Sequence, residues 1–326
     1  MFGPEVLVTA FLLDLLLGDP RWLPHPVVGM GKAALLCEAP LRSAGRLLGR
    51  VAGGPRGEFL AGVGLVLLIA GGSFLGSGEL LWFLLARGFW PAALLISAFL
   101  VYTTLAARSL AEHARAVELA LAAGDLGEAR RAVGLIVGRD TATLDEPEAA
   151  RAAVESIAEN TSDGIVAPLF YAAVGGAPLA LAYRAVNTLD AMYGHRTREN
   201  LYFGRAAARL DDFFNYLPAR LTGLLMLGAG FMLKKDVRFA WRVLREDGGK
   251  HPSPNSGRPE AAMAGILNVR LGGANSYHGE ITVLPYLNAA GRPAAGEDLG
   301  RALRVTQISS WLAFAGCLLL SWLMAG

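Results

Sequence analysis

Residues 151–195 read RAAVESIAENTSDGIVAPLFYAAVGGAPLALAYRAVNTLDAMYGH, and this stretch joins a polar helical segment to a long apolar one. The polar segment carries Glu155 and Glu159 four residues apart, and therefore on one helical face. Asp163 follows in a turn-rich break at the mouth of the apolar segment. We predict that these three carboxylates meet around one cation or one substrate amine.

The alternative interpretation is a solvated helix face that ends in a turn, because acidic residues at this spacing are common on exposed helices. A second polar cluster at the far end of the apolar run favours a functional site instead. Its members are Asn187, Asp190, Tyr193, His195 and Arg196.

The composition of the whole chain indicates an integral membrane protein. Of its 326 residues, 53% are hydrophobic and 18% are charged, and the mean hydropathy is +0.40. Such a chain is too apolar for an ordinary water-soluble globule. The net charge of +2 is too small to indicate a nucleic-acid partner. The two cysteines have no metal-binding or disulfide spacing, so thiol chemistry is not expected.

Apolar runs separated by polar segments predict an all-α, polytopic membrane protein with about six transmembrane helices. One of these helices is expected to be broken in its middle by the sequence GGAP at residues 175–178. A break at membrane depth is tolerated only where the freed backbone groups face protein or a wet cavity, so it suggests a site. The runs are residues 4–17, 59–75, 91–107, 164–186, 217–233 and 305–323.

We predict one membrane-embedded domain, residues 1–326, in which the polar loops 108–163 and 234–304 are helical and form much of the site. The positive-inside rule places these loops in the cytoplasm and both termini outside. The Lys and Arg residues are concentrated on one side. Residues 18–58 contain 6 of them, residues 108–163 contain 6 and residues 234–304 contain 11, whereas residues 77–89 contain 1 and residues 187–216 contain 4. Strict crossing then puts Asp190, His195, Asp211 and Asp212 on the opposite side, unless the broken segment dips in and returns.

Three polar residues near the first apolar run are further candidates. Asp14 interrupts that run, and an unpartnered aspartate costs about 2.5–3.5 kcal/mol at the bilayer centre. Asp19 and His25 lie in the proline-rich loop that follows. The alternative interpretations are that Asp14 is only an acid at a helix end, that Asp19 is only an acid in a turn and that His25 is only a loop histidine.

The sequence contains no P-loop, HExxH, CxxC or GxSxG motif. Asp, Glu, Asn, His and Arg residues in turn-rich loops remain, and this inventory suits magnesium and phosphate. Residues 251–260, HPSPNSGRPE, fit a phosphate or nucleotide loop, with Ser253 and Asn255 as short donors and Arg258 as a two-point fork. A generic proline-rich loop is the alternative.

Five blocks occur in order along nearly the whole chain. They are DLLLGDPRWLPHPVVGMGK (14–32), ESIAENTSDGIVAPLFY (155–171), NTLDAMYGHRTREN (187–200), RLDDFFNYLPARL (209–221) and KHPSPNSGRPEAAMAGILNVRLGG (250–273). Together they make the chain resemble the adenosylcobinamide-phosphate synthase (cobinamide synthase) family of cobalamin biosynthesis.

The resemblance implies a multi-pass ligase of the cell membrane that joins adenosylcobyric acid to aminopropanol or its O-phosphate. ATP with magnesium would drive the new amide bond through an acyl phosphate or acyl adenylate that is shielded from water. The implied partners are the corrinoid, the amine and the lipid bilayer, with no nucleic acid. Association with other late cobalamin-pathway membrane enzymes is a further expectation.

On this reaction, Glu155, Glu159 and Asp163 would bind magnesium or deprotonate the amine. Further metal candidates are Asp190, Asp211 and Asp212. The residues expected to bind substrate or phosphate are Asp14, Asp19, His25, Asn160, Asn187, His195, Arg196, Ser253, Asn255 and Arg258.

Two other classes of protein share some of these features. A transporter would also have broken helices and intramembrane acids, and it would show ion-dependent flux without ATP turnover. A membrane prenyltransferase would use aspartate-rich sites for magnesium and diphosphate. Asp211 and Asp212 half match such a site, so isoprenoid transfer by the purified protein would favour that class.

Overall fold

The structure is a computed structural model that describes residues 3–20, 22–195, 199–277 and 279–325. Two π-helical turns, Leu67–Gly71 and Ser162–Val166, interrupt the helices, and β1 (Leu271–Tyr277) pairs antiparallel with β2 (Glu280–Leu287). The helices are α1 (Pro4–Leu17), α2 (Pro26–Ala52), α3 (Gly54–Val66), α4 (Gly72–Ala86), α5 (Trp90–Tyr102), α6 (Ala107–Ala122), α7 (Leu126–Val133), α8 (Glu146–Thr161), α9 (Ala167–Tyr193), α10 (Arg205–Met232), α11 (Val237–Asp247), α12 (Gly257–Leu267) and α13 (Glu297–Ala325).

Within the described residues, four helical stretches are long and apolar enough to cross a membrane. They are Gly54–Ala86, Trp90–Ala122, Glu146–Tyr193 and Glu297–Met324. This architecture confirms the prediction of a helical, polytopic membrane protein.

Two of the six predicted runs are not among these stretches. Helix α1 has 14 residues. At 1.5 Å per residue it spans about 21 Å, less than the roughly 30 Å hydrocarbon core of a bilayer. All but the last residue of the run 217–233 lies in α10, where Pro218 and Arg220 lower the hydropathy of the apolar part.

The predicted break in the fourth run is confirmed. Gly176 has φ 67° and ψ −164°, values that interrupt α9. Pro178 follows, and because proline has no backbone N–H, it cannot donate to the carbonyl of Val174 one turn earlier. Two nearby residues therefore free backbone groups from helical hydrogen bonds: a glycine with a positive φ and a proline without an N–H.

The turn-rich break predicted around Asp163 is instead a π-helical turn that continues α8 into α9. The polar side chains there bond back to their own helix. Asn160 donates to the carbonyl of Ser156 at 2.9 Å, and Thr161 donates to that of Ile157 at 2.7 Å. Such bonds satisfy these polar side chains locally, and the chain stays helical.

The chain forms two compact units. Unit 1 comprises Met1–Leu105, Pro168–Phe214 and Gly316–Gly326, and unit 2 comprises Ala106–Ala167 and Asn215–Ala315. Both polar loops that were expected to form much of the site belong to unit 2. The single-domain organisation stays a prediction.

Unit 1 has an apolar core in which α2 and α3 pack with α9 and the start of α10. Ala34, Leu65, Leu189 and Phe203 are among its buried members. In the same unit, the Tyr102 hydroxyl at the end of α5 donates a hydrogen bond to the carbonyl of Gly18, just beyond α1. This bond holds the proline-rich loop against α5.

Unit 2 contains the amphipathic helices α6 and α7, joined at Gly124 with φ 71°, as the turn pattern at residues 124–126 predicts. Asp145 caps α8 by accepting a hydrogen bond from the backbone N–H of Glu148 at 2.9 Å. The loop 234–304 contains α11 and α12, in agreement with the helical expectation. It also contains the β1–β2 hairpin, which the sequence analysis did not anticipate.

Candidate active site

Glu155 is the centre of a buried ion cluster in unit 2. Arg139 Nη2 lies 2.5 Å from Glu155 Oε2, and Arg151 Nη1 lies 3.2 Å from Oε1. The backbone N–H of Gly272 also donates to Oε1, at 2.7 Å. Both carboxylate oxygens are therefore engaged by the protein. Glu155 anchors α8 to the start of β1, and its role toward an amine or a metal stays a prediction.

The two arginines also hold the hairpin. Arg151 Nη1 donates to the Gly272 carbonyl at 2.7 Å, and Nη2 donates to the Ala274 carbonyl at 2.9 Å. Arg139 Nη1 donates to Asn275 Oδ1 at 2.7 Å. The spacing of Arg151 and Glu155, four residues apart on one helix, could have revealed this pair from the sequence. No local pattern pointed to Arg139 or Asn275.

Glu159, one turn after Glu155, contacts the loop HPSPNSGRPE. Ser256 Oγ donates to Glu159 Oε1 at 2.7 Å, and both side chains are half-buried. Two motifs that the sequence analysis selected independently, about a hundred residues apart, thus meet in one place. Asn160 lies beside them, with its amide turned back onto Ser156.

The loop before α12 is organised by short side chains. Ser253 Oγ accepts hydrogen bonds from the backbone N–H groups of Asn255 at 3.2 Å and Ser256 at 3.3 Å. His251 Nδ1 accepts from the N–H of Ser253 at 3.0 Å. At Gly257 an added Cβ would lie 2.6 Å from His251 Cβ, so only glycine allows this close return of the chain. Ser253, predicted as a hydrogen-bond donor, therefore acts here as an acceptor from two backbone N–H groups and so shapes the loop.

Two guanidinium groups lie at this loop. Among the described residues, the Arg258 side chain has no hydrogen bond or ion pair, and its Nε is buried without a partner. Arg258 forms no ion pair with Glu260, the nearest acid along the chain. Arg220 stacks on Tyr216, with Cζ 3.4 Å from the ring centroid, and its Nη1 lies 3.4 Å from Asn255 Oδ1. Such cationic groups are suited to phosphoryl oxygens.

Glu260, on the first turn of α12, was missed by the sequence analysis as a site residue. Its side chain is only 5% exposed. Burial raises its pKa well above the usual range, and the negative charges of Glu155 and Glu159 raise it further. The positive charges of Arg139 and Arg151 lower the pKa of Glu260, but they do not offset the effect of burial. Sequence alone could not reveal this environment, because the burial depends on tertiary packing.

The described part of the chain contains no group of three or more His, Cys, Asp and Glu side chains that could hold a metal ion. Glu155, Glu159 and Asp163 therefore do not form a three-carboxylate metal site. Glu155 is held by two arginines instead. Asp190, Asp211 and Asp212 do not form such a group either, and their role as metal ligands stays a prediction.

The remaining candidates are in unit 1. Asp14 is fully buried, and Asp19 Oδ1 lies 3.6 Å from His25 Nε2. Asn187 links two charged groups, because its Oδ1 accepts from Arg184 at 3.1 Å and its Nδ2 donates to Asp211 at 3.3 Å. These contacts form two separate pairings within the unit.

The start of α10 lines a pocket of about 410 Å³ in unit 1. Asp212 is among its lining residues, together with Arg205 and Arg209. Asp190 and His195 lie at the end of α9, where the Gly194 N–H donates to the Asp190 carbonyl at 2.6 Å. Arg196 lies outside the described residues.

Comparison with known proteins identifies the family. The sequence profile of the CobD/Cbib protein family matches residues 7–306. A relative from Geobacter metallireducens, named Cobalamin biosynthesis protein CobD, is 49% identical over 308 residues, which are 94% of this chain and 89% of the relative.

Relatives of the same name show similar coverage. The protein from Photorhabdus laumondii is 41% identical and covers 97% of both chains, and that from Listeria monocytogenes is 38% identical and covers 94% of both. No solved structure matches the chain significantly. These matches confirm the resemblance that the five sequence blocks indicated, and the chain belongs to the CobD/Cbib protein family.

Proposed function

We propose that this protein is a multi-pass enzyme of the cytoplasmic membrane that acts in cobalamin biosynthesis as an ATP-dependent ligase. It joins a carboxylate of adenosylcobyric acid to aminopropanol or its phosphate, and the new bond is an amide. Family membership and the names of the relatives support the pathway, and the four apolar stretches support the location. The hydrogen bond between Glu159 and Ser256 carries the proposal of a reaction site.

The chemistry explains why that contact matters. A carboxylate does not condense with an amine in water, so ATP must first activate it. Activation needs cationic groups for the phosphoryl oxygens, and amide formation needs a base nearby. Arg258 and Arg220 provide the cations at the loop, and Glu159 provides a carboxylate that no arginine in the described part of the chain occupies.

Magnesium fits this site as the ion that accompanies ATP. Mg²⁺ in nucleotide sites commonly uses one or two carboxylates together with substrate phosphates and water, so a cage of three protein acids is not required. Glu159, which contacts the loop through Ser256, is the carboxylate that would hold it. When bound, the ion supplies neutralisation of the phosphoryl charge.

The test is incubation of detergent-purified, full-length protein with adenosylcobyric acid, ATP and magnesium. Aminopropanol is supplied in one reaction and its phosphate in another. We expect a corrinoid product whose mass shows one new amide, formed only when ATP is present. Ion flux through reconstituted vesicles without ATP turnover, in a protein that forms no amide, would contradict the ligase.

Replacing Arg258 with Lys should raise the apparent KM for ATP or for aminopropanol phosphate about tenfold or more, roughly 1.4 kcal/mol. A lysine keeps the charge but cannot reproduce the planar fork on phosphate oxygens. Each constant is measured with the other substrates saturating. Arg245→Lys, on the exposed side of α11, is the matched control. Unchanged constants in Arg258→Lys would leave the loop with a structural role only.

The orientation of the polar loops can be tested by cysteine labelling. In a background without Cys37 and Cys317, cysteines at the exposed positions Ala123 and Ala290 should react only from the cytoplasmic side. A cysteine at exposed Gly88, in a loop with few basic residues, should react with an impermeant reagent added to intact cells. External labelling at Ala123 or Ala290 would reverse the orientation.

A further inference from the structure

The second half of α10 carries an exposed apolar stripe. Leu217, Leu224 and Phe231 recur every seven residues and therefore lie on one face of the helix. They are 48%, 51% and 76% exposed, whereas Met226 and Ala229 on the opposite face are fully buried. A row of large exposed apolar side chains marks a contact surface, and in a membrane protein it fits lipid.

Helix α11 returns alongside this half of α10. A Cβ added at Gly223 of α10 would lie 3.3 Å from Leu244 Cδ2, near the end of α11. One added at Gly230, farther along α10, would lie 3.2 Å from Ile266 Cγ1 of α12, and the residue before Ile266 packs against Ala240 of α11. A step forward along α10 is thus a step backward along α11, so the two helices are antiparallel.

The outer face of α11 is basic. Arg238 and Arg242 are exposed four residues apart, and Trp241, on the same side, is 48% exposed. Lys234 and Lys235, in the turn that joins α10 to α11, are exposed as well. Among the described residues, the side chains of these four cations form no hydrogen bond or ion pair. They are therefore available to an anionic partner.

Two neighbouring charged residues have separate explanations. Asp236 caps α11, because its Oδ1 accepts a hydrogen bond from the Phe239 N–H at 3.0 Å. Arg245 is in the last turn of α11, where a cation stabilises the helix dipole. The four cations at residues 234–242 therefore outnumber the single acid of that segment.

Helix α9 folds back on itself at Gly176. In an unbroken helix Tyr171 and Tyr183 would be about 18 Å apart along the axis. Instead their rings stack with centroids 5.1 Å apart, and both rings contact Phe214. The apolar part of α9 therefore enters and leaves on the same side of the bilayer.

This course of the chain excludes a membrane crossing by residues 217–233. Glu159 bonds to Ser256, so the loops 108–163 and 234–304 lie on one side, and α9 begins and ends on that side. A single crossing by α10 would separate the two loops. It would also draw Arg242, two residues from the Leu244 contact with α10, into hydrocarbon, where an arginine is costly.

We propose that the second half of α10 and the outer face of α11 lie in the plane of the membrane surface and bind anionic phospholipids. The apolar stripe enters the acyl region, as in other interfacial helices. The four cations contact lipid phosphates, and Trp241 lies at the level of the headgroups. This inference is independent of the ligase reaction. It holds the HPSPNSGRPE loop, which joins α11 to α12, at the membrane surface.

The first measurement is binding of short-chain phosphatidylglycerol and phosphatidylcholine to full-length protein in neutral detergent, by calorimetry. The wild type should bind the anionic lipid about tenfold or more tightly. Arg238→Gln with Arg242→Gln should remove most of this preference. Arg115→Gln with Arg131→Gln makes the same change of charge at exposed positions on α6 and α7, and it should keep the preference.

The second measurement is the depth of the stripe in vesicles that contain both lipids. Spin labels are attached to Leu217→Cys, Leu224→Cys and Phe231→Cys in full-length protein without Cys37 and Cys317. Their relaxation by oxygen and by a water-soluble nickel chelate reports depth. A helix in the membrane plane should place all three labels at one shallow depth. A crossing helix would change the depth by about 10 Å every seven residues.

A depth that changes in such steps would overturn the in-plane arrangement. Labels that react freely with the nickel chelate would show that the stripe faces water or awaits a protein partner, and would overturn the lipid contact. Equal affinity of the wild type for both lipids, or equal loss of preference in the two double variants, would overturn the assignment of anionic lipid to α11.

Discussion

Changing Glu159 to Gln is expected to reduce amide-forming turnover about a hundredfold or more while the protein stays folded, as for loss of a general base or metal ligand. Glutamine has nearly the same shape, and its amide oxygen can still accept the hydrogen bond from Ser256. Among the described residues, Glu159 has no ion-pair partner that the change would leave unpaired. The loss should therefore appear in kcat and not in the folded state.

The measurement is single-turnover formation of the corrinoid amide, with thermal unfolding of the same preparation. Glu146→Gln, at the exposed start of the same helix, is the matched control and should retain normal turnover. A correctly inserted Glu159→Gln protein with near-normal amide formation would remove Glu159 from the mechanism.

Replacing Glu155 with Ala should lower the free energy of unfolding by about 3–5 kcal/mol, the usual cost of removing one partner from a buried ion pair. The change leaves the guanidinium groups of Arg139 and Arg151 buried without their shared carboxylate. It also removes the acceptor for the Gly272 N–H. The effect should depend little on salt, because buried pairs are weakly screened.

Thermal or denaturant unfolding of the purified protein in detergent, followed by circular dichroism, measures this difference. Glu146→Ala is exposed on the same helix and should change stability by no more than about 0.5 kcal/mol. If Glu155→Ala unfolds like the wild type but loses turnover, then Glu155 acts in the reaction and the anchoring role is wrong.

The contrast between Glu155 and Glu159 shows which properties of a site residue can be predicted from the sequence and which cannot. Their spacing correctly predicted that both lie on one helical face. It did not separate their roles, because the arginines, the hairpin backbone and Ser256 that distinguish them come from other parts of the chain. The same limit applies to Glu260, which in the sequence is simply an acid near the start of a helix.

The helices, the broken membrane segment and the turn between α6 and α7 were predictable, since hydrophobic periodicity, proline and glycine act over a few residues. The prediction of a turn-rich break at residues 160–164 was wrong, although it concerned only neighbouring residues. Its polar side chains bond to the preceding turn, and a π-helical turn continues the helix.

By itself the sequence determined the membrane class, the family and the position of most helices, because composition, periodicity and ordered motifs are properties of neighbouring residues. Only the tertiary structure decided which acids are neutralised and which face the HPSPNSGRPE loop. The physical reason is that burial and ion pairing depend on groups about a hundred residues apart in the chain, such as Glu155 with Gly272 and Glu159 with Ser256.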